Sequence, residues 1–257
     1  MNNRPIGIYG SGFGGLSVWR EVHRRLAGES LLYLGDGKNC PYGGRSREEI
    51  TAFAREAVKR LVEEGVKMIV VGCNTATTAA VDALRQEWPD IPIVGLEPAV
   101  KPACLTSRTR KIAVLATAHS LKSDMFLRTA SRYADDVEVL KVEGRGFVEL
   151  VEASEEMTPK AERLVRDAIE PLLTKGVDRI VLGCTHYPFL VPHIERVIAG
   201  TDIEIVDSGE AVARRVEWLL ERYDLYAASD HTPEFRFISF ADEEYRQRLE
   251  QKAKSML

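Results

Sequence analysis

The sequence contains no run of apolar residues near the ~18–20 that a membrane helix needs. Nor does an apolar segment of signal-peptide type follow the opening Met1-Asn2-Asn3-Arg4-Pro5, so the expected location is the cytoplasm. A cationic surplus is missing too. Thirty-five Lys and Arg stand against 39 Asp and Glu, a net charge of −4, which offers no broad basic footprint for nucleic acid. Cysteine is scarce, with Cys40, Cys73, Cys104 and Cys184 well spread and without CxxC spacing. In a cytoplasmic protein these are expected to be free thiols. What remains is an ordinary globular composition, 45% apolar and 29% charged over 257 residues, which excludes a disordered tail, a collagen and a coiled coil. The length allows one large domain or two small ones.

Short apolar runs alternate with longer helical patterns. Strands are expected at Ile6–Tyr9, Leu31–Leu34, Met68–Gly72 and Ile93–Gly95, then at Lys111–Ala116, Val137–Lys141, Arg179–Gly183 and Ile203–Val206. The clearest helix runs from Arg47 to about Glu64. Ser46 and Glu49 form a capping box at its start, and Gly65 stands where a left-handed C-terminal residue belongs. Strand and helix in alternation argue for parallel sheets covered by helices.

The chain also repeats itself. Residues 64–73, EGVKMIVVGC, and 175–184, KGVDRIVLGC, agree at six of ten positions at an offset of 111. Each copy reads as a helix end, a buried strand and a glycine, and then a cysteine at the strand's carboxyl end. Asn74-Thr75 follows in one copy and Thr185-His186 in the other. Any two buried strands share Ile and Val; they do not share Gly-Cys followed by small polar residues. The reading is therefore an α/β fold of two pseudo-symmetric parallel-sheet domains, Rossmann- or flavodoxin-like, with the active site in the cleft between them. The first domain is expected to cover residues 1–97 and 208–257, the second 98–207, with the chain returning through a helix at Glu210–Tyr223.

Ligands of open α/β sheets bind at the carboxyl ends of the strands, where both repeated cysteines fall. A thiol at a helix start gains thiolate character from the helix dipole. Two such thiols on opposite sides of one substrate suit racemisation at an amino-acid α-carbon, in which one face loses a proton and the other gains one. Asn74, Thr75 and Thr185 suit substrate carboxylates, and His186 beside Cys184 can assist its proton transfers. A competing reading rests on the first loop. Gly10, Gly12 and Gly15 match the dinucleotide pattern G-x-G-x-x-G, and Asp36 lies where a ribose-binding acid belongs. That points to a nicotinamide- or flavin-dependent oxidoreductase, but leaves the duplicated Gly-Cys unexplained.

Taken together, the motifs resemble glutamate racemase of the aspartate/glutamate racemase superfamily. The matching pieces are residues 11–16 (SGFGGL), Gly35-Asp36 with Pro41-Tyr42-Gly43, residues 72–77 (GCNTAT), Glu97-Pro98, Thr117, residues 148–152 (VELVE), residues 182–188 (LGCTHYP), and Asp207-Ser208 with residues 210–213 (EAVA). The resemblance implies a cofactor-independent, metal-free enzyme that interconverts L- and D-glutamate for peptidoglycan synthesis, working as a homodimer. It implies Cys184 as the base toward the L-enantiomer and Cys73 toward the D-enantiomer, assisted by His186. Ser11, Tyr42, Gly43, Asn74, Thr75, Thr117, Thr185 and His186 would hold the substrate, with Ser120 in a position the family often fills with threonine. Glu152 matches a family glutamate near the site, although on a helix it reads equally as a solvated charge.

Three positions depart from the family. Gly10 stands where the family has an aspartate beside the first cysteine, and that one change also creates the dinucleotide match. It predicts a racemase slowed at Cys73, or a binder that no longer turns over, with restoration of the aspartate expected to raise turnover. Gly144-Arg145 replaces a neutral pair, and Phe240-Ala241-Asp242 replaces the usual Thr-Gly-Asp.

Overall fold

The computed structural model describes residues 1–134 and 136–257. The chain divides into two compact units, Met1–Leu96 with Gly209–Leu257, and Glu97–Ser208.

In the first unit, β1 (Ile6–Gly10), α1 (Leu16–Arg25), β2 (Leu31–Gly35), α2 (Arg47–Glu63), β3 (Met68–Val71), α3 (Asn74–Glu87) and β4 (Ile93–Gly95) follow in turn. The second unit holds α4 (Val100–Thr106), β5 (Lys111–Ala116), α5 (Ala118–Lys122), α6 (Asp124–Tyr133) and β6 (Glu138–Glu143). It continues with α7 (Phe147–Glu152), α8 (Pro159–Ile169), β7 (Arg179–Leu182), α9 (Val191–Ile198) and β8 (Glu204–Val206). The chain then returns to the first unit as α10 (Gly209–Arg222), β9 (Phe235–Ser239) and α11 (Glu243–Lys254).

Every strand pair is parallel. The orders are β4-β3-β1-β2-β9 and β6-β5-β7-β8. Read from the other edge, the second sheet is β8-β7-β5-β6, the order of the first sheet without β9. The repeat seen in sequence is thus a repeat of topology, with β3 and β7 as equivalent strands. In both sheets the strand order reverses between the first strand and the repeated one. Loops leave there in opposite directions and open a crevice at the strands' carboxyl ends.

Local chemistry explains the elements. The α2 capping box forms: Ser46 Oγ accepts from Glu49 N at 3.2 Å, and Glu49 Oε2 accepts from Ser46 N at 2.9 Å. Ile50, Ala54, Ala57, Val58 and Leu61 are its buried stripe. Gly65 and Gly176, the repeat's first shared glycine, both adopt left-handed φ, +76° and +75°. The glycine of Gly-Cys has a different duty. A Cβ at Gly72 would lie 3.1 Å from the Tyr9 carbonyl oxygen, and one at Gly183 would lie 2.8 Å from Ala116 Cβ. The bare glycines let Gly72 N donate to Tyr9 O at 2.6 Å and Gly183 N donate to Leu115 O at 2.8 Å. Each cysteine is thereby tied to the end of the neighbouring strand.

Sequence reading did not identify β9 or α11. β9 is an edge strand with period-2 alternation, whose Phe237 faces in while Arg236 faces solvent. Phe235 and Phe237 pack on Trp19 of α1, with centroids 5.8 and 5.7 Å away. Asp242 of the altered Phe-Ala-Asp triplet caps α11, accepting from Tyr245 N at 2.9 Å. In the second unit Cys104 belongs to an apolar cluster with Val100, Ile112, Val114 and Phe126. Burial pushes its thiol up. None of the four cysteines is in a disulfide. Among the described residues no helix is long and apolar enough to cross a membrane.

Candidate active site

In the first unit, β1, β2 and β3 deliver three segments to the carboxyl edge of the sheet. Cys73 is the residue after the Gly72 that follows β3, and it caps α3 with an extended backbone and its Sγ accepting from Ala76 N at 3.5 Å. A thiol in that place faces the positive end of a 14-residue helix, which favours its thiolate. Asn74 and Thr75, the first residues of α3, are both buried. Asn74 Nδ2 is buried with no hydrogen-bond partner. A buried amide donor left unpaired costs about 1–3 kcal/mol, so this atom is suited to an acceptor that arrives from outside. Ser11, on the loop after β1, is buried as well.

The segment after β2 builds a chain of hydroxyls. Tyr42 Oη donates to Asp36 Oδ2 at 2.6 Å and lies 2.5 Å from Tyr9 Oη, while Asn39 Nδ2 donates to both Asp36 oxygens at 3.0 and 2.9 Å. Asp36 and Tyr9 are fully buried. Burial pushes both phenols well above the usual tyrosine range, with Tyr9 and Asp36 adding to the rise at Tyr42. The Tyr42 phenol is thus engaged on both sides, and a ligand that met its hydroxyl would have to displace one of these partners.

The glycine loop is explained by packing inside the unit. A Cβ at Gly10 would lie 2.1 Å from Tyr33 Oη, and one at Gly15 would meet Tyr33 Oη at 2.5 Å and Gly72 O at 3.0 Å. The Tyr33 hydroxyl donates to Gly12 O at 2.5 Å and fills the place where a side chain at position 10 would start. Asp36, the residue the dinucleotide reading requires for ribose, is occupied by Tyr42 and Asn39. An aspartate at position 10 must first displace Tyr33 from Gly12.

The second unit places its residues on the equivalent strands. Thr117 follows β5 and caps α5, accepting from Ser120 N at 3.3 Å and donating to Ser120 Oγ at 3.1 Å. Cys184 follows Gly183 at the end of β7, and here the two units differ. No α-helix starts at Cys184; a turn through Thr185 and His186 leads to a short 3-10 segment, Tyr187–Leu190. In place of a helix start, Cys184 has a side-chain partner, with Sγ 3.7 Å from His186 Nδ1. The other ring nitrogen, Nε2, lies 2.6 Å from Glu152 Oε1 at the end of α7. The histidine and thiol are buried, as is Thr185. A carboxylate on one side of an imidazole favours its protonated form, which places a proton donor beside the thiol.

Glu152, left undecided by sequence, thus lies in direct contact with His186. Nothing in the sequence near Tyr9 or Asp36 revealed their shared chain of hydroxyls, because its members come from two strand ends and a turn. Gly144 makes room for Tyr187, whose hydroxyl donates to Gly144 O at 3.2 Å; a Cβ at 144 would lie 2.5 Å from that hydroxyl. Arg145 is solvent-exposed and pairs with Glu143 at 3.1 Å, so its charge is spent at the surface.

Comparison with known proteins gives a consistent picture. The Asp/Glu/Hydantoin racemase family matches residues 6–216. A glutamate racemase of Stutzerimonas stutzeri is 43% identical over 90% of this chain and 87% of that one. One from a Roseiflexus species is 46% identical over 86% of this chain and 81% of its own. The crystal structure of Escherichia coli glutamate racemase, in complex with L-glutamate and the activator UDP-MurNAc-Ala, superposes with a TM-score of 0.85 at 30% identity, covering 98% of this chain and 95% of that one. The chain belongs to the Asp/Glu/Hydantoin racemase family and, within it, to the glutamate racemases.

Proposed function

We propose that this chain interconverts L- and D-glutamate with Cys73 and Cys184 as its two acid/base groups. The observation that carries the reading is the pair of thiols, neither of them in a disulfide, at the ends of equivalent strands, one at a helix start and the other beside His186 and Glu152. In the L-to-D direction the Cys184 thiolate removes the α-proton, leaving the electron pair delocalised into the α-carboxylate. The Cys73 thiol then delivers its proton to the opposite face of the same carbon. Turnover ends with Cys184 protonated and Cys73 as the thiolate, the state that accepts D-glutamate and runs the steps in reverse. No electrons are exchanged with an outside carrier, so the chemistry asks for no cofactor or metal.

The substrate carboxylates are assigned to the unpaired Asn74 amide, to Ser11, Thr75, Thr117 and Thr185, and to the backbone of the Tyr42–Gly43 turn. His186 serves Cys184 as proton partner and completes the pocket. The product is assigned to peptidoglycan synthesis in the cytoplasm, and the working unit to a homodimer. The test is incubation of the purified protein with L-glutamate alone, with D-glutamate followed by chiral chromatography. Racemisation to equal amounts supports the reading. A rise in melting temperature with glutamate but no D-glutamate would instead make the chain a binder.

A further inference from the structure

Between the end of β2 and the start of α2, residues 36–46 form neither strand nor helix, and three of them, Gly37, Gly43 and Gly44, are glycines. A glycine-rich segment outside regular structure has wide backbone freedom, so side chains must hold Tyr42 and Gly43 in one place. Asp36 stands at the root of the segment and is fully buried. Its Oδ1 accepts from Asn39 N at 3.4 Å, its two oxygens accept from Asn39 Nδ2 at 3.0 and 2.9 Å, and its Oδ2 accepts from Tyr42 Oη at 2.6 Å. One carboxylate thus grips the chain three and six residues further on. Its own N–H donates to Gly10 O at 2.9 Å, beside Ser11.

Proton counting sets the direction of each bond. Tyr42 has one hydroxyl proton and gives it to Asp36, so the 2.5 Å contact between the phenols is donated by Tyr9. The Tyr42 ring also lies against Phe53 of α2, with centroids 5.6 Å apart. Tyr42 is therefore fixed at its oxygen by β1 and Asp36 and at its ring by α2, and its carbonyl accepts from Arg45 N at 3.0 Å. The carboxylate is the part that no other side chain of this size replaces. Two acceptor oxygens take Asn39 and Tyr42 together, whereas an asparagine at position 36 would turn one donor toward the Asn39 amide or the Tyr42 hydroxyl.

We propose that Asp36 is a positioning residue of the substrate site, holding the turn through Tyr42 and Gly43 in the shape that receives glutamate. The proposal rests on the assignment of that turn to the substrate, made above. Asp36 acts through Asn39 and Tyr42 and touches no reacting atom. Its work is done before substrate arrives and is the same for both enantiomers, since the turn is fixed whichever thiol carries the proton. It therefore governs how tightly glutamate is held and leaves the proton transfers themselves alone. A loss of binding that is uniform through the reaction raises KM and spares kcat.

The test compares the intact protein with Asp36→Asn and with Asn39→Ala. Three readings are taken: initial rates from each enantiomer, the Kd of racemic glutamate by calorimetry, and amide hydrogen exchange over residues 37–45. Asp36→Asn is expected to raise the KM of both enantiomers and the Kd about tenfold, with kcat within about twofold, and to speed exchange in the segment about tenfold. Asn39→Ala leaves the Tyr42 bond in place and is expected to raise KM and Kd about threefold. A merely structural role would lower the melting temperature and the share of active protein, and so the apparent kcat, with KM and Kd unmoved. That result overturns the proposal, as does faster exchange with unchanged KM and Kd. Should Asp36→Asn not fold, Asn39→Ala decides by the same readings. A chain that binds glutamate but never racemises would sink the function, and the Kd comparison would still decide the role of Asp36.

Discussion

Glu152→Gln is the sharpest perturbation of the second thiol. It preserves the shape of the side chain and removes its charge, 2.6 Å from His186 Nε2. A hydrogen bond to a charged group contributes about 1.5–3 kcal/mol, and one pKa unit corresponds to about 1.36 kcal/mol. Loss of the charge therefore removes roughly that much support for a protonated His186, the ring that lies 3.7 Å from Cys184 Sγ through Nδ1. With Cys184 as the base toward L-glutamate, kcat in that direction falls about 10- to 100-fold. The enantiomers have equal free energy in water, so kcat/KM must fall equally in both directions. Any asymmetry between the directions appears only in the split between kcat and KM. The assay is initial rate against pH from both enantiomers, by polarimetry. A Glu152→Gln enzyme with unchanged kcat and pH profile would show that the contact is structural and that Cys184 works without it.

Three further outcomes follow from the structure. Gly10→Ala pushes a methyl into the Tyr33 hydroxyl and is expected to cost about 1–3 kcal/mol, measured by urea denaturation. Adding Tyr33→Phe should return part of that loss, whereas simple additivity would contradict the packing argument. Asp178 accepts from Ser107 Oγ at 2.7 Å, Arg108 N at 2.6 Å and Thr109 N at 3.3 Å. Burial alone would raise its carboxyl, but these bonds outweigh burial and hold it below the usual value. Its stabilisation is therefore complete above the unfolded pKa of about 3.9 and lost as pH falls through the lower folded value. Asp178→Asn should cost about 1–3 kcal/mol at pH 7 and flatten the acid limb of the stability curve, as read by thermal melts from pH 2 to about pH 6.

The legible parts of the fold were those written in continuous or strongly periodic sequence. The buried parallel strands read as unbroken Ile-Val-Leu runs, and the repeat located both cysteines at strand ends. β9 escaped because only one side of it is covered, and α11 because only Leu249 and Ala253 of its twelve residues are buried. The positions where the repeat disagrees turned out to matter too. Lys67 and Asp178 occupy the same place in the two copies, and each is a buried charge that ties down a different segment. Lys67 pairs with Glu29 and donates to Asn2 O, while Asp178 holds residues 107–109. Sequence could show that the two copies differ there, but not what each charge meets. The same holds at the site. Cys73, Asn74, Thr75, Cys184, Thr185 and His186 lie in two short motifs, while the contact of Glu152 with His186 and the chain Tyr9–Tyr42–Asp36 join segments apart in sequence.

The central claim is that two thiols serve the two faces of one α-carbon. It is tested most directly by deuterium incorporation from heavy water into each enantiomer of glutamate, in the intact protein and in Cys73→Ser and Cys184→Ser. The account predicts that the intact protein converts L-glutamate to deuterated D-glutamate and the reverse. Each single variant should lose interconversion. Absence of α-deuterium from both enantiomers in the intact protein, or full racemisation in either serine variant, would contradict it.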